Sequence, residues 1–188
     1  MNAFEDIIKL YLEEEDYWVR QSVKVHHITK EDKRRLNNYS MPTPEIDLVA
    51  FNMVKNELLL VEVKSLLDSY GVHYEAVSGI DERDRDGYKL FWWDLYREII
   101  TERLREEYLD RKLINKKTKI NYALAAGHIH SPENEQSKSI RDYFLKQKEK
   151  WILFSPKDIK DKIKKLSRKG WEDNIIIMTS KLTKGETS

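Results

Sequence analysis

The sequence predicts an α/β fold, a mixed β-sheet flanked by helices. Three observations carry that prediction. Apolar residues recur at helical spacing near the start and again around residue 160. Compact apolar runs at 46–54, 58–64, 120–126 and 151–154 have the length of strands. The two kinds of segment alternate along the chain, as they must where helices cover the faces of a sheet.

Taken in order, residues 3–14 place Phe4, Ile7, Ile8, Tyr11 and Leu12 on one helical stripe, with Glu5 and Lys9 off it. Residues 17–25 alternate in polarity and read as a strand. Residues 29–44 are polar, carry Asn37-Asn38, Pro42 and Pro44, and suit a loop or a short inserted helix. Two strand-like runs, 46–54 and 58–64, flank the polar connection Lys55-Asn56-Glu57, which suits a hairpin. A polar loop, 68–87, leads to a long helix expected over 88–113, with Trp92, Leu95, Ile99 and Leu104 on its buried face. Arg111, Lys112, Lys116, Lys117 and Lys119 crowd the end of that helix, where cations suit its dipole.

Residues 120–126 form a compact apolar strand, and 142–149 continue a helix begun near Ser137 or Ser139. Residues 151–154 are a short strand ending in Ser155-Pro156, a serine N-cap followed by proline at the first helical position. The helix after it carries Ile159, Ile163 and Leu166 on one face and lysines elsewhere, and Gly170 suits its end. Residues 174–182 are apolar and β-branched and fit either a strand or a closing helix. The later strands are expected to join by right-handed crossovers.

With 188 residues, no repeat and no low-complexity linker, the chain is expected to be a single domain, 1–188. Charged residues make up 36% of it, yet five Trp, ten Tyr and five Phe supply a core, so the surface is heavily solvated rather than disordered. The absence of cysteine excludes disulfides and thiolate zinc sites. No apolar run approaches a membrane span and the N-terminus is acidic, so the expectation is a cytoplasmic protein with no membrane partner. A net charge of +1 argues against a polycationic nucleic-acid coat. The charge is unevenly spread: six acids against one lysine over 1–19, twelve Lys and Arg against four acids over 138–169.

The chemistry concentrates in Pro44-Glu45-Ile46-Asp47 and Leu60-Val61-Glu62-Val63-Lys64-Ser65. Residues two apart on a strand share a face, so Glu62 and Lys64 project together while Leu59, Val61 and Val63 make the other face apolar. Ionic groups on a buried strand are costly unless paired or metal-bound. A short hairpin also brings Asp47 close to Glu62, and two carboxylates held together repel unless a cation lies between them. A hard ion such as Mg²⁺, which takes oxygen ligands and keeps several waters, fits that position.

This arrangement resembles the PD-(D/E)xK nuclease superfamily, with its restriction-endonuclease-like fold. The match runs Glu45-Ile46-Asp47, fourteen intervening residues, then Glu62-Val63-Lys64. The proline expected directly before the Asp is absent: Ile46 stands there and Pro44 is displaced. The resemblance implies an α-β-β-β-α-β core over about 3–126, with 127–188 a basic helical C-terminal elaboration. It also implies catalytic roles for Asp47, Glu62 and Lys64. Asp47, Glu62 and the backbone carbonyl of Val63 would bind Mg²⁺, for which Mn²⁺ would substitute, and Lys64 would act on the attacking water. Members often add a glutamate from the first helix. Glu5 is the choice here, with Glu13 and Glu14 as competitors.

The function expected from this resemblance is a Mg²⁺-dependent endonuclease hydrolysing phosphodiester bonds of nucleic acid, foremost DNA. The alternatives are a non-catalytic nucleic-acid-binding or assembly module of the same fold, or a nuclease subunit active only in a larger complex. Such folds often pair to cut two strands, and the aromatics of 88–113 offer a surface for a homodimer, although the sequence leaves the oligomeric state open. Weaker signals remain. His128-Ile129-His130 follows a strand, His26-His27 and His73 lie in polar segments, and Ser65 directly follows the motif. The 68–87 loop, with Tyr70, His73, Arg83, Arg85 and three glycines, is long for its place and suits contact with a nucleic-acid backbone. Trp92-Trp93 is positioned to stack bases or to split between core and surface, and the lysines of 157–169 either contact phosphates or form a solvated face.

Overall fold

The computed structural model describes residues 2–168 and 174–182. Five strands, β1 (Trp18–Lys24), β2 (Glu45–Asn52), β3 (Glu57–Lys64), β4 (Lys119–Ala126) and β5 (Trp151–Phe154), form one mixed sheet in sequential order. The first three are antiparallel neighbours, and β4 and β5 add in parallel. The expected α/β class and mixed sheet are both present.

Helices cover the two faces unequally. On one face α1 (Ala3–Glu13) and α7 (Pro156–Leu166) set Phe4, Ile8, Leu12 and Ile159 against Leu59, Val61, Val63, Ala123 and Ala125. On the other, α4 (Lys89–Trp92), α5 (Asp94–Asp110) and α6 (Glu133–Leu145) bury Phe91, Ile100, Leu104, Ile140 and Phe144 against Leu58, Leu60, Tyr122 and Leu124. The parity of β3 and β4 therefore decides which core each residue joins. Burying the larger of these side chains stabilises the fold by about 1.5–3 kcal/mol apiece.

The ribbon of β1 and β2 departs from that parity at one point. Leu48 and Ala50 face α1, but Ile46, two residues away from Leu48, belongs to the opposite core together with Val23 and Val25. The pairing lapses at Ser22 and Asp47 between the flanking partners Gln21↔Leu48 and Val23↔Ile46. Ser22 adopts a left-handed φ of 51°, a conformation unfavourable to a residue with a Cβ. Both strands turn over there, and Asp47 lies at the crossover.

Several boundaries differ from the sequence-based expectations. Strand β2 stops at Asn52, whose Oδ1 accepts the Lys55 N–H at 2.9 Å, and Met53 and Val54 are exposed in the turn. The polar stretch 29–44 contains α2 (Lys30–Arg35), begun by a Thr29–Asp32 capping box. The 68–87 segment is not wholly loop: α3 (Tyr74–Val77) and a 3-10 turn (Arg85–Tyr88) occupy part of it. The expected single helix over 88–113 is broken at Trp93, which is extended (φ −102°, ψ 90°). Carbonyls freed by the break are taken by Arg97, which donates to Leu90 O at 3.1 Å, and by the Tyr143 hydroxyl, which donates to Phe91 O at 2.8 Å. Helix α6 begins at Glu133, ahead of the expected start. Ser155 and Pro156 begin α7 as predicted, again with a capping box, to Asp158. Residues 175–182 form α8 (Ile175–Leu182) rather than a strand, and Gly170 lies outside the described residues. No helix among the described residues is long and apolar enough to cross a membrane.

Candidate active site

Asp47, Glu62 and Lys64 converge at one end of the sheet. Asp47 Oδ2 accepts the backbone N–H of Val63 at 2.7 Å, so a side chain supplies the rung where the β2–β3 ladder ends. Lys64 Nζ donates to Glu62 Oε1 at 2.6 Å, on the face that their spacing requires. Both side chains of that pair are mostly buried, at 24% and 17% exposed. One oxygen of each carboxylate is left without a hydrogen bond among the described residues.

The electrostatics of the pair are unfavourable to charge. Burial pushes the Glu62 carboxyl up to about 6; Lys64 opposes that rise and the charge of Asp47 adds to it. Burial likewise raises Asp47, against the Val63 N–H and Lys64, while Glu45 adds repulsion. Two half-buried carboxylates that repel, each with a free oxygen, suit a small divalent cation in their donor chemistry. The Val63 side chain packs beneath α1 while its N–H serves Asp47.

A roof of three aromatic or small residues covers this end, and none was singled out as a site residue from sequence. A Cβ on Gly87 would lie 3.8 Å from Lys64 Cε and 3.9 Å from Nζ. Lys64 Nζ stands 5.7 Å from the centre of the Tyr88 ring. Burial and the charge of Glu62 raise the Tyr88 hydroxyl far above its usual value, and push Tyr96 up to about 12. The 68–87 segment thus does reach the Lys64 side of the sheet. It is held there at Val72, whose N–H donates to His128 O at 3.0 Å and whose carbonyl accepts His130 N–H at 2.8 Å. The Trp92 indole also donates to Arg85 O at 2.6 Å.

Helix α1 starts at this same end of the sheet, where a Cβ on Gly127 would lie 3.0 Å from Phe4 Cζ and Gln21 Nε2 donates to Asp6 Oδ1 at 2.8 Å. Helix α1 packs on the face of Val61 and Val63, opposite to that of Glu62 and its neighbours Tyr88 and Tyr96. Lys64 and Glu45 act on Asp47, and Lys64 and Asp47 act on Glu62. Glu5 Oε2 is buried with no hydrogen-bond partner among the described residues. Glu13 pairs with Lys9 on its own helix, at 3.9 Å.

The remaining sequence candidates are placed as follows. His128 Nδ1 contacts the Leu66 and Ser69 carbonyls at 3.2 and 3.0 Å, and the His130 ring stacks on Tyr70 with centroids 3.7 Å apart, so both serve to pack the loop. Trp92 and Trp93 stack on each other at 5.6 Å, both half-buried, and Trp93 continues onto Tyr96. The lysine-rich α7 lies with α1 on the face away from Lys64, where Lys162 bonds Glu15 and Lys157 pairs with Asp161 at 3.2 Å. The acidic start and basic end of the chain meet there. An apolar cavity of about 490 Å³, lined by Trp18, Phe51, Leu58 and Ile114 among others, opens at the opposite end of the sheet from the carboxylates. Comparison with protein families, with curated proteins and with solved structures finds no match to this chain.

Proposed function

We propose that the chain is a Mg²⁺-dependent nuclease that hydrolyses phosphodiester bonds of nucleic acid, foremost DNA. The observation that supports this most is the Asp47–Glu62–Lys64 convergence, in which two half-buried carboxylates have free oxygens and Lys64 bonds Glu62 at 2.6 Å. Asp47 and Glu62 would hold the ion, with the Val63 carbonyl as a further oxygen ligand. Bound there, Mg²⁺ supplies Lewis-acid polarisation of a phosphoryl oxygen and neutralises developing charge. Lys64 would orient the attacking water and offset charge on the phosphate as attack proceeds. Asp47 keeps its geometry through the Val63 N–H, which fixes one oxygen and leaves the other to the ion. Tyr88 and Gly87 form the roof under which a backbone phosphate would approach, and Arg83, 91% exposed on the same segment, would be a cation for holding it. Glu5, whose Oε2 is buried with no hydrogen-bond partner among the described residues, would support the ion from α1.

The test is cleavage of supercoiled, linear duplex and single-stranded DNA by the full chain in Mg²⁺ or Mn²⁺. Glu62→Ala and Lys64→Ala are expected to abolish cleavage while leaving the circular dichroism spectrum unchanged. Cleavage retained by pure Lys64→Ala protein overturns the mechanism.

A further inference from the structure

A second group of donors lies in the segment that roofs the Lys64 end. His73, Asp81 and Asp84 each place a ligand atom within 4.8 Å of the others, the only such triad among the described residues. We propose that they form a binding site for a divalent transition-metal ion of the Zn²⁺ type, which ties residues 73–84 into one rigid piece. This site is separate from the Asp47–Glu62 pair and does not rest on the nuclease reading.

The donors are prearranged. His73 follows Val72, which is bonded through both its N–H and its carbonyl to the 128–130 strand segment. Asp81 is fixed at three points: its N–H donates to Glu75 O at 2.9 Å, its carbonyl accepts Arg85 N–H at 3.0 Å, and its Oδ1 accepts Arg83 N–H at 3.0 Å. Rigidly held ligands with a hydrogen-bonded carboxylate are the outer-shell arrangement that metal sites use.

Two of the donors, His73 and Asp84, are also underused, whereas Asp81 pairs with Arg83 Nε at 3.7 Å. The His73 side chain is only 8% exposed, yet its one polar contact is Nε2 to Asp81 Oδ2 at 3.3 Å, long for a charge-assisted bond, and Nδ1 has no partner among the described residues. A buried imidazole used this little has spare coordinating capacity. The Asp84 carboxylate makes no hydrogen bond or ion pair among the described residues, although it faces the same space. That space is an open cavity of about 610 Å³, completed by Tyr70, Ile80 and Arg83, with room for the waters that fill out a coordination sphere. Closing a 4.8 Å span around an ion with bonds of about 2.1 Å requires only small side-chain movements. One imidazole nitrogen with two carboxylates selects a borderline ion over Mg²⁺, which prefers an all-oxygen shell.

The experiment is calorimetric titration of Zn²⁺, with Mg²⁺ as comparison, into metal-free full-length protein. One Zn²⁺ site is expected, weakened by about tenfold or more in His73→Gln and in Asp84→Asn. Asp84 is exposed and its side chain supports nothing else, so Asp84→Asn reads ligation without risk to folding. Glu62→Gln is expected to retain the site. No Zn²⁺ binding, binding unaltered by Asp84→Asn, or binding lost in Glu62→Gln or in His130→Gln but not in Asp84→Asn each overturns the proposal.

Discussion

Glu62 and Lys64 are joined by a 2.6 Å hydrogen bond between side chains two residues apart on one strand, and the bond does not make Glu62 an easy anion. Burial outweighs the lysine, and the carboxyl stands at about 6. The consequences of that imbalance are measurable.

Because the folded-state value lies above the ordinary glutamate value, the folded protein binds more protons than the unfolded chain between about pH 4.5 and 6. Stability from this group therefore falls as pH rises through that window, by about 2 kcal/mol at the upper end. Glu62→Gln is expected to be more stable than the parent at pH 8 and to lose that advantage near pH 4.5. Urea titrations across the range check it; an advantage independent of pH contradicts it.

Removing Lys64 withdraws the main influence that lowers Glu62. In Lys64→Ala the Glu62 carboxyl is expected to move above about 6, visible as a shifted side-chain carboxyl titration by NMR. If Lys64 serves only to keep Glu62 ionised, cleavage by Lys64→Ala returns at high pH. If it holds the attacking water, as proposed, cleavage stays absent there.

Arg103 clamps buried Asp32 through two hydrogen bonds, at 2.8 and 3.0 Å, joining α2 to α5. The guanidinium holds the Asp32 carboxyl far below its usual range. Arg103→Ala leaves that charge buried and unpaired and is expected to cost about 3 kcal/mol. A depressed carboxyl contributes stability above its unfolded value and loses it as pH falls. The gap between Arg103→Ala and the parent should therefore narrow in acid, as thermal unfolding at pH 7 and pH 3 will show.

Gly79 has φ +83°, and a Cβ there would meet Trp92 Cβ at 2.7 Å. Gly79→Ala is expected to destabilise by at least about 1 kcal/mol through backbone strain alone. The loss should concentrate in faster hydrogen exchange over 72–92. A uniform loss across the sheet would be the contrary result.

How much of this was legible in the sequence depended on how local each cause is. The Ser155-Pro156 helix start and the alternation of 58–64 are local, and both stand where they were read. So is the shared face of Glu62 and Lys64. The break at Trp93 depends on Arg97 and Tyr143 arriving to take stranded carbonyls, and a periodic pattern does not encode that. The turnover at Ser22 and Asp47 is likewise invisible, since it carries no glycine or proline. Asp81 and Asp84 stand close in sequence, but only the Val72 bridge brings His73 to them. The charge asymmetry of the two ends was visible. That they would meet through Lys162 and Glu15, rather than divide between metal and polyanion, was not.

The Val63 amide gives the molecule an internal reporter. Most sheet protons are shared with a carbonyl that never titrates, whereas this one is shared with the Asp47 carboxylate. Its nitrogen and proton chemical shifts will follow the ionisation of that acid, and its exchange with solvent will follow the departure of the side chain. A single resonance in a labelled sample thus reads proton, metal or phosphate arriving at the carboxylates, without any turnover being measured.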